Sequence, residues 1–370
     1  MRSNNVLGFI FAATLDDKIP ELASSRTTAS VPIGGKYRII DFDLSNMSNS
    51  GISNVGIVAK SNFQSLMDHV GSGSAYDLSK RRSNLSILPP YDGKAFSSFV
   101  ETIYNMHGYI EHCREEYVLI SQGNVITNID YTDVFDFHSK KKADITLIYK
   151  NHAIPQGYDR PITLDVDNDG KVNQIFVKPG VVDKGVFNHA YGSILIKKDL
   201  LMSEIRNAIS VNQLDVRRLI QSSLGKYSIY AYENKGYCAA ISSINDYFEF
   251  NMDLMKKEVR DELFNPQRPI YTKVRDDAPA KYGIDADVKN SLVADGCVIE
   301  GTVENCVLFR GVKIEKGAKV KNCILMQDTT VGAKAEMNFV ITDKNVTISE
   351  YRSLAGTETY PVFVNKGATV

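Results

Sequence analysis

The loop Ala13-Thr14-Leu15-Asp16-Asp17-Lys18 follows an apolar run from Val6 to Ala13, so it leaves what reads as a buried strand. Close backbone approach to a phosphate at such a place needs glycine, which has no Cβ to hold the anion away. This loop has none and carries two carboxylates. A carboxylate about 5 Å from a phosphate charge costs on the order of 3 kcal/mol at an effective dielectric of ~20. The loop therefore reads as a surface connection. Asp165-x-Asp167-x-Asp169-Gly170 opens like a calcium-binding loop, but its twelfth position is Phe176 instead of a bidentate glutamate, so it reads as a hairpin turn. The six histidines show no metal-ligand spacing, and none lies beyond His189. Lys140-Lys141-Lys142 reads as the basic end of a helix.

The elements that position these residues follow from periodicity. Val6 to Ala13 and Ser53 to Ala59 read as buried strands; Tyr117–Ile120 and Asp144–Tyr149 read as two more. Helical spacing covers Ser61–Val70, Val100–Arg114, Tyr131–Lys141, Leu200–Ile209, Val216–Leu224 and Asp246–Leu263. Ile162–Val177 reads as a hairpin pivoting on Asp167-Asn168-Asp169-Gly170. Alternating strands and helices over residues 1–262 describe a doubly wound α/β domain with an inserted β layer. Residues 263–285 contain prolines and read as a linker.

From residue 286 to 370 the texture changes. Cys297, Val303 and Phe309 recur at six-residue intervals, as do Ile314, Val320 and Met326. Small-plus-aliphatic hexapeptides of this kind turn one apolar side chain inward on each face of a triangular coil, which predicts a left-handed parallel β-helix. The looser pattern after Asn338 predicts an atypical capping coil.

The chain has 370 residues, enough for about two domains. With 43 basic and 44 acidic residues, no global field favours nucleic acid or an anionic membrane. The cysteines (Cys113, Cys238, Cys297, Cys306, Cys323) are odd in number and scattered, as expected of free thiols in a reducing cytoplasm. Arg2 and the apolar run after it could mimic a secretory signal, but the run ends in Asp16-Asp17-Lys18, and no later stretch is apolar for long enough to span a membrane.

The block Pro32-Ile33-Gly34-Gly35-Lys36-Tyr37-Arg38-Ile39-Ile40-Asp41 resembles the N-terminal signature of the glucose-1-phosphate adenylyltransferase (ADP-glucose pyrophosphorylase) family. Gly71-Ser72-Gly73-Ser74-Ala75-Tyr76-Asp77-Leu78 and Leu85-Ser86-Ile87-Leu88-Pro89-Pro90-Tyr91 are similar to that family's G-S-G-x-x-W-D-L and T-I-L-P-P. The family also places a doubly wound nucleotidyltransferase domain ahead of a left-handed β-helix, so the resemblance covers nearly the whole chain. It implies ADP-glucose formation from ATP and glucose 1-phosphate with Mg²⁺.

The residues that would do this are altered. The family's Gly-rich loop L-A-G-G-x-G-x-R-L is matched by Phe11 to Ile19, with Lys18 at the catalytic arginine. Its G-D-H carboxylate is matched by Asn124, and that of its W-R-D motif by Ala240. Its G-T-A turn against the nucleotide is matched by Ser98-Phe99-Val100, where Phe99 fills space, and its regulatory R-A-K-P by Arg26-Thr27-Thr28-Ala29. Two pieces of the sugar side are partly kept: Lys178 in Val177-Lys178-Pro179 for E-K-P, and Gly192 in Ala190-Tyr191-Gly192 for S-M-G. The resemblance thus implies no catalytic residue and no metal ligand in this chain, with Lys178 and Gly192 as residual substrate-binding positions. It is closest to the non-catalytic or weakly catalytic subunit of some bacterial enzymes. A cytoplasmic hetero-oligomer is implied, a tetramer with a catalytic sister that holds Mg²⁺ and answers to a sugar-phosphate effector. The alternative is an active adenylyltransferase with a remodelled phosphate loop. A hexapeptide acyltransferase would need a histidine base within residues 286–370, which contain none.

Overall fold

The computed structural model describes residues 3–13, 16–60, 62–79, 84–89, 98–153, 161–177 and 185–370. The strand Val6–Phe11 lies between parallel neighbours Asn54–Val58 and Tyr117–Gln122. Its side chains alternate between two cores: Leu7, Phe9 and Phe11 join one, and Val6 and Ile10 the other. Helices cover both faces, which is why the strand reads as an unbroken apolar run. Among the described residues the sheet has nine strands, with Asn84–Leu88 at one end of its main path and the hairpin Ile162–Val166/Val172–Val177 at the other.

Two expected helices are each broken. Val100–Arg114 forms Phe99–Asn105 and His107–His112 with a break at Met106, and Asp246–Leu263 forms Ile244–Asp253 and Lys257–Leu263. In each case buried side chains on both segments pack into one core, which the break re-aims without changing the apolar count. The Asp167 turn is as expected: its carboxylate accepts from the Asp169 and Lys171 backbone N–H, both at 2.9 Å.

The C-terminal part is a left-handed parallel β-helix of three five-stranded parallel sheets. Its first coil begins at Lys281–Tyr282, which pairs with Val298–Ile299. The hexapeptide interval is not uniform. Leu308, Ile314 and Val320, then Leu325, Val331 and Met337, are all at most 2 % exposed; they step by six within a coil and by five across the Asn322 corner. Asn305 (φ 53°) and Asn322 (φ 49°) take left-handed corners that drop one residue per coil. Their amides stack in a ladder: Asn290 Nδ2 donates to Asn305 Oδ1 at 2.6 Å, Asn305 to Asn322 at 3.3 Å, and Asn322 to Asn338 at 2.9 Å. Asn322→Ala is expected to cost about 2 kcal/mol, from two lost amide bonds plus left-handed strain. Asn322→Gly removes only the strain part, and urea unfolding of the two variants separates the contributions.

A third core joins the two parts. Phe248, Phe250 and Leu263 of the last two helices pack with Val307, Phe309, Ile324, Met326 and Ile341 of one β-helix sheet. The Gly34-Gly35 turn lies in the same seam. Both glycines have positive φ (56° and 83°), and a Cβ on Gly35 would sit 3.5 Å from both the Ala294 Cβ and the Leu308 carbonyl.

Candidate functional site

In open α/β sheets ligands bind beyond the carboxyl ends of the strands. Here that edge is filled by side chains. The Phe11 ring stacks on Phe99 with centroids 4.4 Å apart, and Phe9 meets Phe11 edge-on at 5.5 Å. Phe99 opens a helix whose N-cap, Ser98, accepts from the Glu101 N–H at 3.1 Å, so the ring is anchored over the strand end. Gly123 closes the turn beside it: its N–H donates to the Phe11 carbonyl at 2.9 Å, and any Cβ there would stand 2.9 Å from that same oxygen.

The loop after the first strand is tied down by one of its carboxylates. Asp16 does not point toward a ligand; its Oδ1 accepts from the Thr28 N–H at 2.7 Å and the Thr28 hydroxyl at 2.6 Å. Burial raises its pKa, against the pull of those two bonds. Asp17 and Lys18 are exposed, and Thr14 and Leu15 lie outside the described residues.

The two positions matched to metal carboxylates are brought together. Val125–Thr127 and Cys238–Ala240 pair antiparallel, with Ala240 opposite Val125 and Asn124 next along the chain. Asn124 is fully buried; its Nδ2 donates to the Ile241 carbonyl at 3.2 Å, and its Oδ1 has no hydrogen-bond partner among the described residues. The Tyr191 ring packs with Val125 and Ala240, and Cys238 packs against the three. A neutral buried amide, a methyl group and an aromatic ring do not fit a hard divalent cation.

Gly192 sits at φ 85° where its strand shifts register, and the Gln122 side chain occupies its open side, 2.0 Å from where a Cβ would lie. Any sugar reaching Gly192 has to displace that amide. Lys178 lies outside the described residues. Beside Gly192 the Tyr191 hydroxyl lies 2.5 Å from His152 Nε2, which is 3.3 Å from His189 Nδ1. Burial holds His152 down to about 4, with help from Lys150, and His189 down to about 3, with help from His152, so both rings are neutral at pH 7.

Charge collects elsewhere, in a pocket between the Gly34-Gly35 turn, the helix Gln64–Val70, the linker and the β-helix. Lys36, Arg38, Lys273, Arg275, Arg310 and Lys344 line it, with Asp68 as the one acidic residue. Beneath it Asp41 is fully buried: Oδ1 meets His69 Nε2 and the Tyr76 hydroxyl, both at 2.6 Å, and Oδ2 accepts from the Arg38 N–H at 2.9 Å. Arg38 Nη1 donates to the Ser65 carbonyl and hydroxyl at 2.5 and 2.9 Å. Burial, then the neighbouring Arg38 and Arg26, push the Lys344 ammonium down to about 7. Six basic residues and one acidic residue thus line this pocket, and Arg310 Nε lies 3.5 Å from an Asp277 carboxylate oxygen.

Next to Lys344, Asp343 grips the N-terminal part. Both its carboxylate oxygens accept from Arg26 Nη2, at 2.7 and 2.8 Å, and each residue is about 2 % exposed.

The nucleotidyl transferase family matches residues 17–256, and a GlmU-like C-terminal hexapeptide family matches residues 277–358. The chain is 33% identical over 371 residues to the glycogen biosynthesis protein GlgD of Bacillus subtilis, covering 99% of this chain and 97% of that protein. It is 38% identical to the GlgD of Geobacillus stearothermophilus (86% and 83% covered) and 33% identical to a glucose-1-phosphate adenylyltransferase of Clostridium perfringens (90% and 87%). The chain belongs to the glucose-1-phosphate adenylyltransferase family, among its GlgD-type glycogen biosynthesis proteins. Measured by that family's motifs, Asn124, Ala240 and Phe99 are altered and Gly192 is kept, and Phe11, Tyr191 and Gln122 pack against these positions. The basic pocket was not found from the sequence. Its cations run from Lys36 to Lys344, and no local spacing links them. Among the described residues no helix is long and apolar enough to cross a membrane.

Proposed function

We propose that this chain is a regulatory, catalytically weak or inactive subunit of a glucose-1-phosphate adenylyltransferase, acting on a catalytic sister in a cytoplasmic hetero-oligomer, a tetramer in the simplest case. The sister holds Mg²⁺ and converts ATP and glucose 1-phosphate to ADP-glucose and pyrophosphate. The observation that carries this reading is the filled cleft: Phe99 on the nucleotide side, Tyr191 over the carboxylate positions and Gln122 against Gly192. An interface that favours the sister's active state by 1–3 kcal/mol gives an effect of several-fold to about a hundredfold.

The test is pyrophosphate release by this chain alone, the sister alone and the two co-expressed. Near-zero turnover alone with a clear gain on mixing supports the proposal. Turnover alone comparable to the sister's would overturn it in favour of an active enzyme with a remodelled loop.

The basic pocket is where a sugar-phosphate effector is received in this reading. Lys344→Met is expected to weaken binding of a sugar phosphate roughly tenfold to a hundredfold, the range for one charge-assisted bond. Because the free Lys344 ammonium gives up its proton near pH 7, wild-type affinity is expected to rise as pH falls from 8 to 6. Calorimetry across that range should show the methionine variant with a flatter profile.

A further inference from the structure

Two stretches with no part in the sites above meet in space: the Asp167-Asn168-Asp169-Gly170 turn and the basic end of the helix Tyr131–Lys141. The Gly170 carbonyl accepts from the Ala231 N–H at 2.8 Å, which docks the turn on the strand Ile229–Glu233. The Lys141 ammonium pairs with Asp169 across the gap. Between turn, helix, strand and the linker residue Arg268 lies an open groove of about 720 Å³. It shares no lining residue with the basic pocket.

The charges in this groove cancel. Arg268 Nη1 lies 3.4 Å from Asp130, and the Asp167 carboxylate is taken up by the Asp169 and Lys171 N–H. What remains is Asp133 and Glu233 with Lys140 and Lys235, all exposed and equal in number by sign. Such a balance selects neither an anion nor a cation. Two rings stand beside these groups. Phe137 and Tyr232 are half-buried and meet edge to face, with centroids 5.6 Å apart at 70°. Rings crossed in this way do not sandwich a flat base, but a ring face still takes a C–H surface.

The groove also holds an unanswered acceptor. Asn128 is 8 % exposed, and its Nδ2 donates to the Leu263 and Arg268 carbonyls, both at 2.9 Å. Both amide hydrogens are therefore used, which fixes the amide's orientation. Its Oδ1 has no hydrogen-bond partner among the described residues. A neutral molecule with C–H faces and hydroxyls that both donate and accept meets all of these conditions.

We propose that this groove is a binding site for a neutral oligosaccharide. A sugar ring lies against Tyr232. Its hydroxyls donate to the Asp133 and Glu233 carboxylates and to Asn128 Oδ1, and accept from Lys235. The site is separate from the filled cleft and works whether or not the chain is catalytic.

The experiment is titration calorimetry of the full-length protein with maltoheptaose and with cellohexaose, an α-linked and a β-linked chain of glucose. At least one is expected to bind with a Kd of about 1 mM or tighter. Affinity should be equal at low and at physiological salt, because the ligand carries no charge. Tyr232→Ala is expected to weaken binding about tenfold, while Tyr232→Phe keeps the ring and binds like wild type. Glu233→Ala removes an exposed side chain and is expected to weaken binding several-fold, so it carries the test if Tyr232→Ala fails to fold by circular dichroism. Tyr351→Ala, at an exposed ring on the β-helix, should change nothing. No heat from either sugar at about 10 mM, tenfold above a millimolar Kd, would overturn the proposal. So would an affinity that falls steeply with salt, or folded Tyr232 and Glu233 variants that bind like wild type. None of these outcomes bears on the pyrophosphate-release result, so the two readings are tested separately.

Discussion

Asp343→Ala is expected to lower stability by about 3–5 kcal/mol, because it leaves the Arg26 guanidinium buried without its counter-charge. Both residues are nearly inaccessible, and Arg26 Nη2 reaches the two carboxylate oxygens at 2.7 and 2.8 Å. The same substitution frees the Lys344 N–H, which donates to Asp343 Oδ1 at 2.7 Å. Arg26→Ala is expected to cost a similar amount, since the carboxylate is then the stranded partner. Arg26→Met/Asp343→Leu removes both charges and keeps the volume, so most of the loss should be recovered. Urea unfolding of wild type and these three variants compares a stranded buried charge with the loss of both charges. A single variant within about 1 kcal/mol of wild type would mean that the pair is solvated and not a tie between the two parts.

The second large effect is pH-dependent. Asp43 is buried with the Ser121 hydroxyl donating to its Oδ1 at 2.5 Å, while its Oδ2 has no hydrogen-bond partner among the described residues. Burial raises its pKa from 3.8 to about 7, with the Ser121 bond pulling the other way. An acid that holds its proton more tightly when folded favours the native state at low pH. Its contribution is full below 3.8 and is lost as pH rises to about 7. A shift of roughly three units corresponds to on the order of 4 kcal/mol. Asp43→Ala should therefore gain about that much on wild type between pH 4 and pH 8. His152 and His189 work in the opposite sense: neutral when folded, they withdraw stability as pH falls below 6.5. The difference between wild type and Asp43→Ala cancels the histidines, which both proteins keep. A difference that stays constant across pH would show that Asp43 is ionised throughout.

Much of the architecture was legible because it is written in local periods. The run Val6 to Phe11 serves two cores at once, so it could be read as a central strand without knowing its neighbours. The β-helix was legible from small and aliphatic residues six apart. The five-residue step was not, because it depends on Asn305 and Asn322 taking left-handed corners, and asparagine in a loop carries no such label. In the cleft, the loss of carboxylates at Asn124 and Ala240 was visible in the sequence, but the closing of the space was visible only at Phe99. Tyr191 and Gln122 fill it through contacts across strands. The inward turn of Asp16 onto Thr28, twelve residues on, has no local signal in the sequence. The basic pocket was hidden for the same reason on a larger scale, since its cations meet only after the two parts have docked.

The Arg26–Asp343 tie also has a consequence in time. The two residues are 317 positions apart, so at roughly 5–20 residues per second a ribosome makes Asp343 some 15–60 s after Arg26. Through that interval the segment that borders the cleft holds an arginine whose burial has no counter-charge. The N-terminal part can assemble its sheet earlier, from strands that end at Glu233, but the segment around Arg26 settles only when the fourth coil of the β-helix has been synthesised. A chain cut short before Asp343 would carry every strand of the N-terminal sheet but would leave Arg26 without this counter-charge.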